Sequence, residues 1–342
     1  LPIIHHLDHA NTVELCRAAI DAGYPSVMID ASKQSLEENI SMTKAVVQYA
    51  HAHEACVEAE IGKIKGRDYE STFDGGDFLD GFENGYFAEP KEPTGTVYHQ
   101  YCTAIPVGTL LAQSWNLDLM KKLGQMIAGE MNEFEVTLWL APGMSLHRNP
   151  LCGRNFEYYS EDPLLAGMMA SAMTLGVQSV PGCGTTIKHY ACNNQEDNRM
   201  GSDSILSERT LREIYLKGFE IAIRNAQPMA MMTSYNLING VHAANSYDIC
   251  TKAARDEWGF EGAIMTDWTT TTDSTAGECT AAGCMKAGND MVMPGDIRDH
   301  ASIRQALEDG SLDIRELKRC VYHTVKIILQ SNQYEDAVSY ED

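Results

Sequence analysis

The sequence lacks any apolar run close to the roughly 20 residues that a membrane-spanning helix needs, so we expect no membrane partner. Positive charge is also scarce. The chain has 26 Lys and Arg residues against 48 Asp and Glu residues, which gives a formal net charge of −22. Nucleic acid is therefore not an expected partner, because its phosphates would be repelled. The amino-terminal apolar run has no basic region before it, which argues against a secretory signal and favours a cytoplasmic location.

None of the ten cysteines forms a Cys-x-x-Cys pair with another. Scattered cysteines in a chain of 342 residues are typical of buried thiols in a reducing compartment. We therefore expect neither a disulfide framework nor a thiolate zinc site, and no metal or other cofactor is predicted.

Apolar strands and amphipathic helices alternate along most of the chain. Residues 2–62 predict a β-α-β-α-β unit with parallel strands, in which Asn11 caps the first helix and Ser35 with Glu38 forms a capping box for the second. Together with the later segments this gives eight or nine strands, nearly all followed by a helix. The predicted fold class is α/β, a (β/α)8 TIM-type barrel in a single domain over residues 1–342. The later strands are predicted at 103–107, 136–141, 186–190, 229–235, 263–267 and 290–293.

A short apolar stretch, 262–266, runs directly into Asp267 and Trp268. It predicts a buried strand whose carboxyl end presents Asp267 at the rim of a sheet, where parallel α/β proteins place their chemistry. Asp267 is thus the first candidate for a reactive carboxylate. An Asp that only caps the following helix fits the local pattern equally well.

The segment from 142 to 163 is too long and too polar to be a simple connector. It carries Arg154, whose rigid fork of donors suits vicinal hydroxyls or a carboxylate. A surface ion pair between Arg154 and Glu157 is the alternative interpretation.

Lys188 and His189 end another predicted strand. A dense set of donors and acceptors follows them at once, namely Asn193, Asn194, Glu196 and Arg199. Such an array suits a sugar, which needs many directional hydrogen bonds, and Trp268 offers an aromatic face for it.

Six motifs follow one another in the later part of the chain. They are, in order, Leu140-Ala-Pro-Gly-Met, Gly153-Arg-Asn-Phe-Glu-Tyr-Tyr-Ser-Glu-Asp-Pro, Ile187-Lys-His-Tyr, Ser234-Tyr-Asn, Met265-Thr-Asp-Trp and Gly288-Asn-Asp. By these motifs the sequence, from about residue 94 to the end, resembles the barrel domain of family 3 glycoside hydrolases, the β-glucosidase family. The resemblance implies a retaining mechanism in which Asp267 is the nucleophile of a covalent glycosyl-enzyme. It also implies that Arg154, Lys188, His189 and Tyr235, together with Arg199, hold the sugar or orient that carboxylate.

Retention also needs a second carboxyl group, roughly 5–5.5 Å from the nucleophile, that acts as acid and then as base. The family usually takes this group from a companion domain or a long loop. This sequence shows no such domain, so we expect turnover to be impaired for lack of a proton donor.

The first part of the chain carries the motifs His6-Leu-Asp-His, Ser26-Val-Met-Ile-Asp-Ala-Ser and Val57-Glu-Ala-Glu-Ile-Gly. By these motifs, residues 1–66 resemble a fragment of class II, metal-dependent sugar-bisphosphate aldolase. That resemblance implies a catalytic acid at Asp8 and a zinc ligand at His9, but the other zinc histidines of the family have no counterpart. The chain thus resembles a chimera of two TIM barrels, with an aldolase-like part at 1–66, a junction or loop at 67–95 and a hydrolase-like part at 96–342.

The predicted function is hydrolysis of terminal β-glucosides or related sugars by a retaining β-glycosidase, with a small carbohydrate as the substrate. Two alternatives stay open. The chain is an inactive chimeric scaffold that keeps the site residues as relics, or it is a zinc-dependent lyase of the class II aldolase type. The sequence indicates no oligomeric state.

Overall fold

The computed structural model describes five segments of the chain. They are residues 6–31, 34–53, 55–59, 103–273 and 279–334. The predicted junction at 67–95 lies outside these segments, and so do the side chains of Asp8 and His9.

The amino-terminal unit has the predicted β-α-β-α-β arrangement. Its strands His6–Ala10, Ser26–Ile29 and Cys56–Ala59 form one parallel sheet in that order. The helices Val13–Asp21 and Leu36–Ala52 connect them and pack on the sheet through a core of their own.

Both helices of this unit begin at side-chain caps. The capping box is confirmed, since the Ser35 hydroxyl accepts from the Glu38 N–H at 3.3 Å and the Glu38 carboxylate accepts from the Ser35 N–H at 3.1 Å. The predicted cap at Asn11 was wrong by one residue. Thr12 has an extended backbone, and its hydroxyl oxygen accepts a hydrogen bond from the Leu15 N–H at 3.2 Å. The Thr12 side chain therefore caps the helix by pairing with the free N–H of its third residue.

A second parallel sheet organises residues 138–265. Its strands are, in spatial order, Ala263–Met265, Ala230–Thr233, Gly184–Tyr190 and Leu138–Trp139. Every residue of Gly184–Tyr190 is buried, as in a strand with helices on both faces of its sheet. Met291 pairs with Met265 through a single parallel bridge at one edge. Because the strands are parallel, the residues that follow them meet at one edge of the sheet.

Helices flank this sheet, and three of the nine α-helices of residues 103–334 come directly after a strand in the described segments. None of the helices in the described segments is long and apolar enough to cross a membrane. The α-helices are Gly108–Gln113, Leu117–Glu133, Pro163–Val177, Glu208–Thr210, Lys217–Ala226, Thr270–Asp273, Ala281–Ala287, Ile297–Asp309 and Ile314–Gln330, with π-helical segments at Leu211–Tyr215 and Asp248–Glu257 and a 3₁₀ turn at Ala243–Asn245.

Two glycines allow the helices Leu117–Glu133 and Pro163–Val177 to pack in close contact. A Cβ atom on Gly124 would overlap the carbonyl oxygen of Met173, and one on Gly176 would overlap that of Lys121. The backbones therefore touch where side chains would otherwise separate them.

A buried carboxylate ties the last helix to the second sheet. One oxygen of Asp290 accepts from the Arg255 guanidinium at 2.5 Å and from the Ile264 N–H at 2.8 Å. The other lies 2.8 Å from Nδ1 of His323, on the helix Ile314–Gln330. Burial lowers the pKa of Arg255, although the charge of Asp290 opposes that shift. One charged group in the interior thus contacts both this helix and the second sheet.

The structure shortens or removes three predicted strands. Residues 103–107 form no strand and lead into the helix Gly108–Gln113, since Pro106 has no N–H to give to a sheet. The strand predicted at 136–141 is reduced to Leu138–Trp139, and that at 290–293 to the Met291 bridge. Prolines at 142 and 294 follow both of these segments.

The described strands form three separate sheets and not one closed barrel. The third sheet, which the sequence did not predict, consists of two-residue strands at Asp203–Ser204, Leu237–Ile238 and Val241–His242. The α/β class with parallel strands is confirmed. Closure of eight strands into a single domain is not seen within the described segments.

Every cysteine in the described segments is free, and all of them are buried except Cys56, which is exposed. The prediction of buried thiols therefore holds for all of these cysteines but Cys56.

Candidate functional site

Asp267 lies at the end of the strand Ala263–Met265 and is only 6% exposed. Its Oδ1 accepts from the Trp268 N–H at 2.8 Å, and its backbone carbonyl accepts from the Thr270 hydroxyl at 2.9 Å. Its Oδ2 accepts no hydrogen bond from the described residues and lies 3.5 Å from Nε2 of His189. The hydrogen bond of the carboxylate thus goes to the adjacent residue and not to the second or third residue of the next helix, so the helix-cap alternative is disfavoured.

Parallel strands bring other predicted residues to the same edge of the sheet. Lys188 and His189 lie near the carboxyl end of the fully buried strand. Tyr235 follows the next strand by two residues, and Asp267 follows the strand beyond it by two residues. Residues far apart in the chain therefore meet because their strands are neighbours in the sheet.

Glu157 joins two of the predicted cations in the interior. Its Oε2 lies 2.7 Å from Nε of Arg154 and its Oε1 lies 3.1 Å from Nζ of Lys188. Burial alone would raise the pKa of Glu157, but the charges of Arg154 and Lys188 outweigh burial and hold the pKa below its usual value. The Arg154–Glu157 pair suggested by the sequence does form, but as part of a buried triad and not at the surface.

His189 is buried as a neutral imidazole. Burial lowers its pKa well below the usual value, and the charges of Arg154, Lys188 and Arg199 lower it further. Its Nε2 faces Asp267, while its Nδ1 lies 3.1 Å from the hydroxyl of Tyr158. His189 therefore acts at neutral pH through hydrogen bonds and not through a positive charge.

The segment after the central strand continues this network. Nδ2 of Asn193 donates to the Tyr158 hydroxyl at 2.8 Å and to Oε1 of Glu196 at 3.0 Å. Oε2 of Glu196 accepts from Arg199 at 2.9 Å, and the Arg199 guanidinium lies 4.6 Å from the centre of the Tyr235 ring. All five of these residues are buried.

The neutral state of His189 gives the first testable prediction. Below about pH 6.5 the unfolded chain takes up a proton on this residue and the folded chain does not, so the free energy of unfolding should fall as the pH is lowered, by up to roughly 1.4 kcal/mol per pH unit. Urea unfolding between about pH 7 and pH 5 measures this slope, and His189→Gln should reduce it.

The matched control is His51→Gln, which replaces an exposed histidine and should leave the slope of the wild type unchanged. A slope of equal size in wild type and His189→Gln would contradict the neutral buried imidazole.

The structure brings the predicted residues into one cluster. Asp267 contacts His189, while Lys188 and Arg154 share Glu157. Arg199, which contacts the ring of Tyr235, is linked to His189 through Glu196, Asn193 and Tyr158. Trp268 adjoins Asp267 in the chain and is half-buried. Sequence reasoning assigned no role to Tyr158 and treated Glu157 only as a partner of Arg154. The signal for both lay in the polar loop 142–163, where Glu and Tyr follow Arg154 at three and four residues.

A cavity of about 850 Å³ is lined in part by residues of the same loop. Among its lining residues are His147, Asn155, Phe156 and Glu161, but no member of the Asp267 cluster. We therefore do not assign this cavity to the substrate.

The described segments contain no group of three or more His, Cys, Asp or Glu side chains placed to hold a metal ion. The cluster around Asp267 instead combines cations, carboxylates and hydroxyl or amide donors, which is the chemistry of a site for a polar organic ligand.

Two family models match the chain. The model described as the glycosyl hydrolase family 3 N terminal domain matches residues 90–327. The model described as class II fructose-bisphosphate aldolase matches residues 1–138, so the two matches overlap. The first match covers more than half of the chain and contains every residue of the cluster.

Curated relatives are similar over the same region. β-Glucosidase A of Butyrivibrio fibrisolvens is 51% identical over 166 residues, which is 48% of this chain and 20% of that protein. The exo-α-(1→6)-L-arabinopyranosidase of Bifidobacterium breve is 42% identical over 226 residues, 66% of this chain and 29% of that protein. The chain thus spans less than a third of the length of these relatives.

Solved structures agree with these matches. β-Glucosidase 3B of Thermotoga neapolitana, in complex with α-D-glucose, superposes with a TM-score of 0.65 at 42% identity, over 71% of this chain and 35% of that one. A β-glucosidase of Paenibacillus barengoltzii gives a TM-score of 0.63 at 40% identity, over 68% of this chain and 27% of that one. From the family model, the relatives and the superpositions together, the chain belongs to glycosyl hydrolase family 3.

Proposed function

We propose that this chain carries the nucleophilic half of a retaining β-glucosidase site, with Asp267 as the nucleophile. In this reaction a carboxylate oxygen attacks the anomeric carbon, the leaving group departs with the electrons of the glycosidic bond, and a glycosyl ester forms. Water then cleaves the ester and regenerates the carboxylate.

The observation that carries the proposal is the asymmetry of the Asp267 carboxylate. The Trp268 N–H holds Oδ1 at 2.8 Å, whereas Oδ2 accepts no hydrogen bond from the described residues. A carboxylate fixed by one oxygen keeps the lone pairs of the other for an incoming carbon atom.

The rest of the cluster suits a sugar. Arg154, Lys188 and Arg199 carry donors for hydroxyl groups, and their buried positions strengthen each hydrogen bond. The aromatic rings of Tyr235 and Trp268 offer apolar faces of the kind that pyranose rings contact. The relatives named above are β-glucosidases and an arabinopyranosidase, which supports a terminal glucoside or a similar pyranoside as the substrate.

The described residues of the cluster offer no clear proton donor for the leaving group. The two other buried carboxyl groups of the cluster are Glu157 and Glu196, and both pair with cations. The charges of Arg154 and Lys188 hold the pKa of Glu157 below its usual value, so Glu157 does not protonate a leaving group at neutral pH. Burial raises the pKa of Glu196, but Asn193, Tyr158 and His189 lie between this carboxyl group and Asp267. Turnover should therefore be efficient only with aryl glycosides whose phenol leaves without a proton.

We further propose that the chain joins an aldolase-like unit at 1–66 to a barrel-type hydrolase unit at 96–342. The two family-model matches and the separate β-α-β-α-β sheet at the amino terminus support this origin. The buried free thiols support a reducing, cytoplasmic location.

The test is a covalent adduct on Asp267. Incubation with an activated 2-deoxy-2-fluoro-β-glucoside, which slows hydrolysis of the ester, should add one fluoroglucosyl group to the peptide that contains Asp267, as read by mass spectrometry. An adduct on a different carboxylate, or no adduct at a concentration that saturates a family β-glucosidase, would overturn the proposal.

A further inference from the structure

A line of hydrogen bonds runs from the cation Arg199 to His189, and His189 in turn contacts the carboxylate of Asp267. It passes from Glu196 through Asn193, Tyr158 and His189, with donor–acceptor distances of 3.0, 2.8 and 3.1 Å for the three inner links. The last contact, from Nε2 of His189 to Oδ2 of Asp267, measures 3.5 Å. Every residue of the line is at most 6% exposed, so solvent does not compete for these contacts.

The chemistry of each group fixes the direction of the line. Both oxygens of Glu196 accept, one from Arg199 and one from Asn193. The atom of Asn193 that faces Glu196 must therefore be its amide nitrogen, and the second hydrogen of that nitrogen points to the phenol oxygen of Tyr158.

The phenol of Tyr158 has one proton to give. Burial raises its pKa well above the usual value, so the proton stays on the oxygen. Because the Asn193 amide already donates to that oxygen, the phenol proton is directed to its other close partner, Nδ1 of His189. A neutral imidazole that accepts at Nδ1 carries its own proton at Nε2.

We propose that Tyr158 and Asn193 are positioning residues that hold His189 in the Nε2–H tautomer, so that it presents a donor to the free oxygen of Asp267. The tautomer follows from the contacts of the neutral ring, and its catalytic value rests on the proposed nucleophilic role of Asp267. With the opposite tautomer, a nitrogen lone pair would face the carboxylate oxygen and repel it. The Nε2–H keeps Oδ2 oriented until the sugar arrives.

The test is nitrogen NMR of the protein labelled with ¹⁵N-histidine, recorded without substrate. In the wild type, the His189 ring should carry its proton on Nε2, and its Nδ1 should have the shift of an unprotonated nitrogen that accepts a hydrogen bond. His189→Gln identifies the resonances by their loss. In Tyr158→Phe, the Nδ1 signal should move to the shift of a nitrogen without a donor.

The matched control is Tyr159→Phe, which removes a hydroxyl from the adjacent buried tyrosine and should leave the His189 signals in place. A wild-type ring protonated at Nδ1 would overturn the proposal. This measurement uses the wild-type protein only and so does not depend on whether a variant folds. An Nδ1 signal that is unchanged in a folded Tyr158→Phe protein would overturn it as well.

A kinetic readout separates this proposal from that of the nucleophile. With an activated aryl glucoside, Tyr158→Phe should lower kcat on the order of tenfold and leave KM little changed, as expected for loss of an orienting partner. If no adduct forms on Asp267 in the wild type but the Nε2–H tautomer is present and responds to Tyr158→Phe, the proposed function fails while the positioning inference stands.

Discussion

Asp267→Ala is expected to release phenol from an activated aryl glucoside roughly 10⁴-fold more slowly than the wild type, the scale of losing an essential group in a covalent mechanism. The substitution removes Oδ2 of Asp267, which accepts no hydrogen bond from the described residues and lies 3.5 Å from His189. Among the described residues, every other side-chain carboxylate oxygen of the cluster is held by a donor or a cation. Stopped-flow absorbance of the released phenol measures both the burst and the steady rate.

Added azide sharpens this experiment. A small anion fits where the carboxylate was removed, so azide should restore phenol release in Asp267→Ala and yield a glucosyl azide. The matched control is Asp256→Ala, which removes an exposed carboxylate from the helix Asp248–Glu257 and should keep the wild-type rate. Equal rates in Asp267→Ala and the wild type would rule out the nucleophilic role.

Arg255→Met is expected to lower the free energy of unfolding by about 3–5 kcal/mol. The substitution keeps the length of the apolar stem but leaves the Asp290 carboxylate buried without its cation, at 0% side-chain exposure. A buried charge that loses its partner costs far more than the pair contributes, because its desolvation is no longer offset. Chemical unfolding followed by fluorescence measures the change.

Two comparisons isolate the charge. Arg315→Met breaks an exposed pair with Asp313 and should change stability by no measurable amount. Adding Asp290→Asn to Arg255→Met should recover part of the lost stability, because the amide keeps an acceptor for the Ile264 N–H without the charge. A loss below about 1 kcal/mol in Arg255→Met would mean that His323 alone compensates Asp290.

Local chemistry made some elements of the fold predictable. The helix Leu117–Glu133 follows local signals of this kind, since Asn116 caps it and apolar positions recur on one face. The strand predictions at 103–107 and 290–293 failed because short apolar runs look alike whether they pair or not. Pairing depends on neighbours distant in the chain, and the apolar pattern of a single segment carries no information about them.

For the candidate site, the sequence predicted which residues take part but not how they contact one another. The motifs around Asp267, Lys188 and Arg154 carried the positions of the charged groups. The contacts between these groups were not predictable in the same way. Glu157 reaches Lys188, and Tyr158 reaches His189, although each pair is separated by 31 residues in the sequence. Such contacts depend on side-chain rotamers and on packing in the folded chain. No spacing rule encodes such a contact, so only the folded chain reveals which hydroxyl faces which nitrogen.

The buried ion pairs around Glu157 and Glu196 have a consequence for charge balance. Arg154, Lys188 and Arg199 bring three formal positive charges, and Glu157, Glu196 and Asp267 bring three negative ones, while His189 adds none. Esterification of Asp267 would remove one negative charge and leave the cluster with an excess of one positive charge. In a buried setting that excess would attract electron-rich oxygen, so in the proposed mechanism the first half-reaction would favour the attack of water in the second.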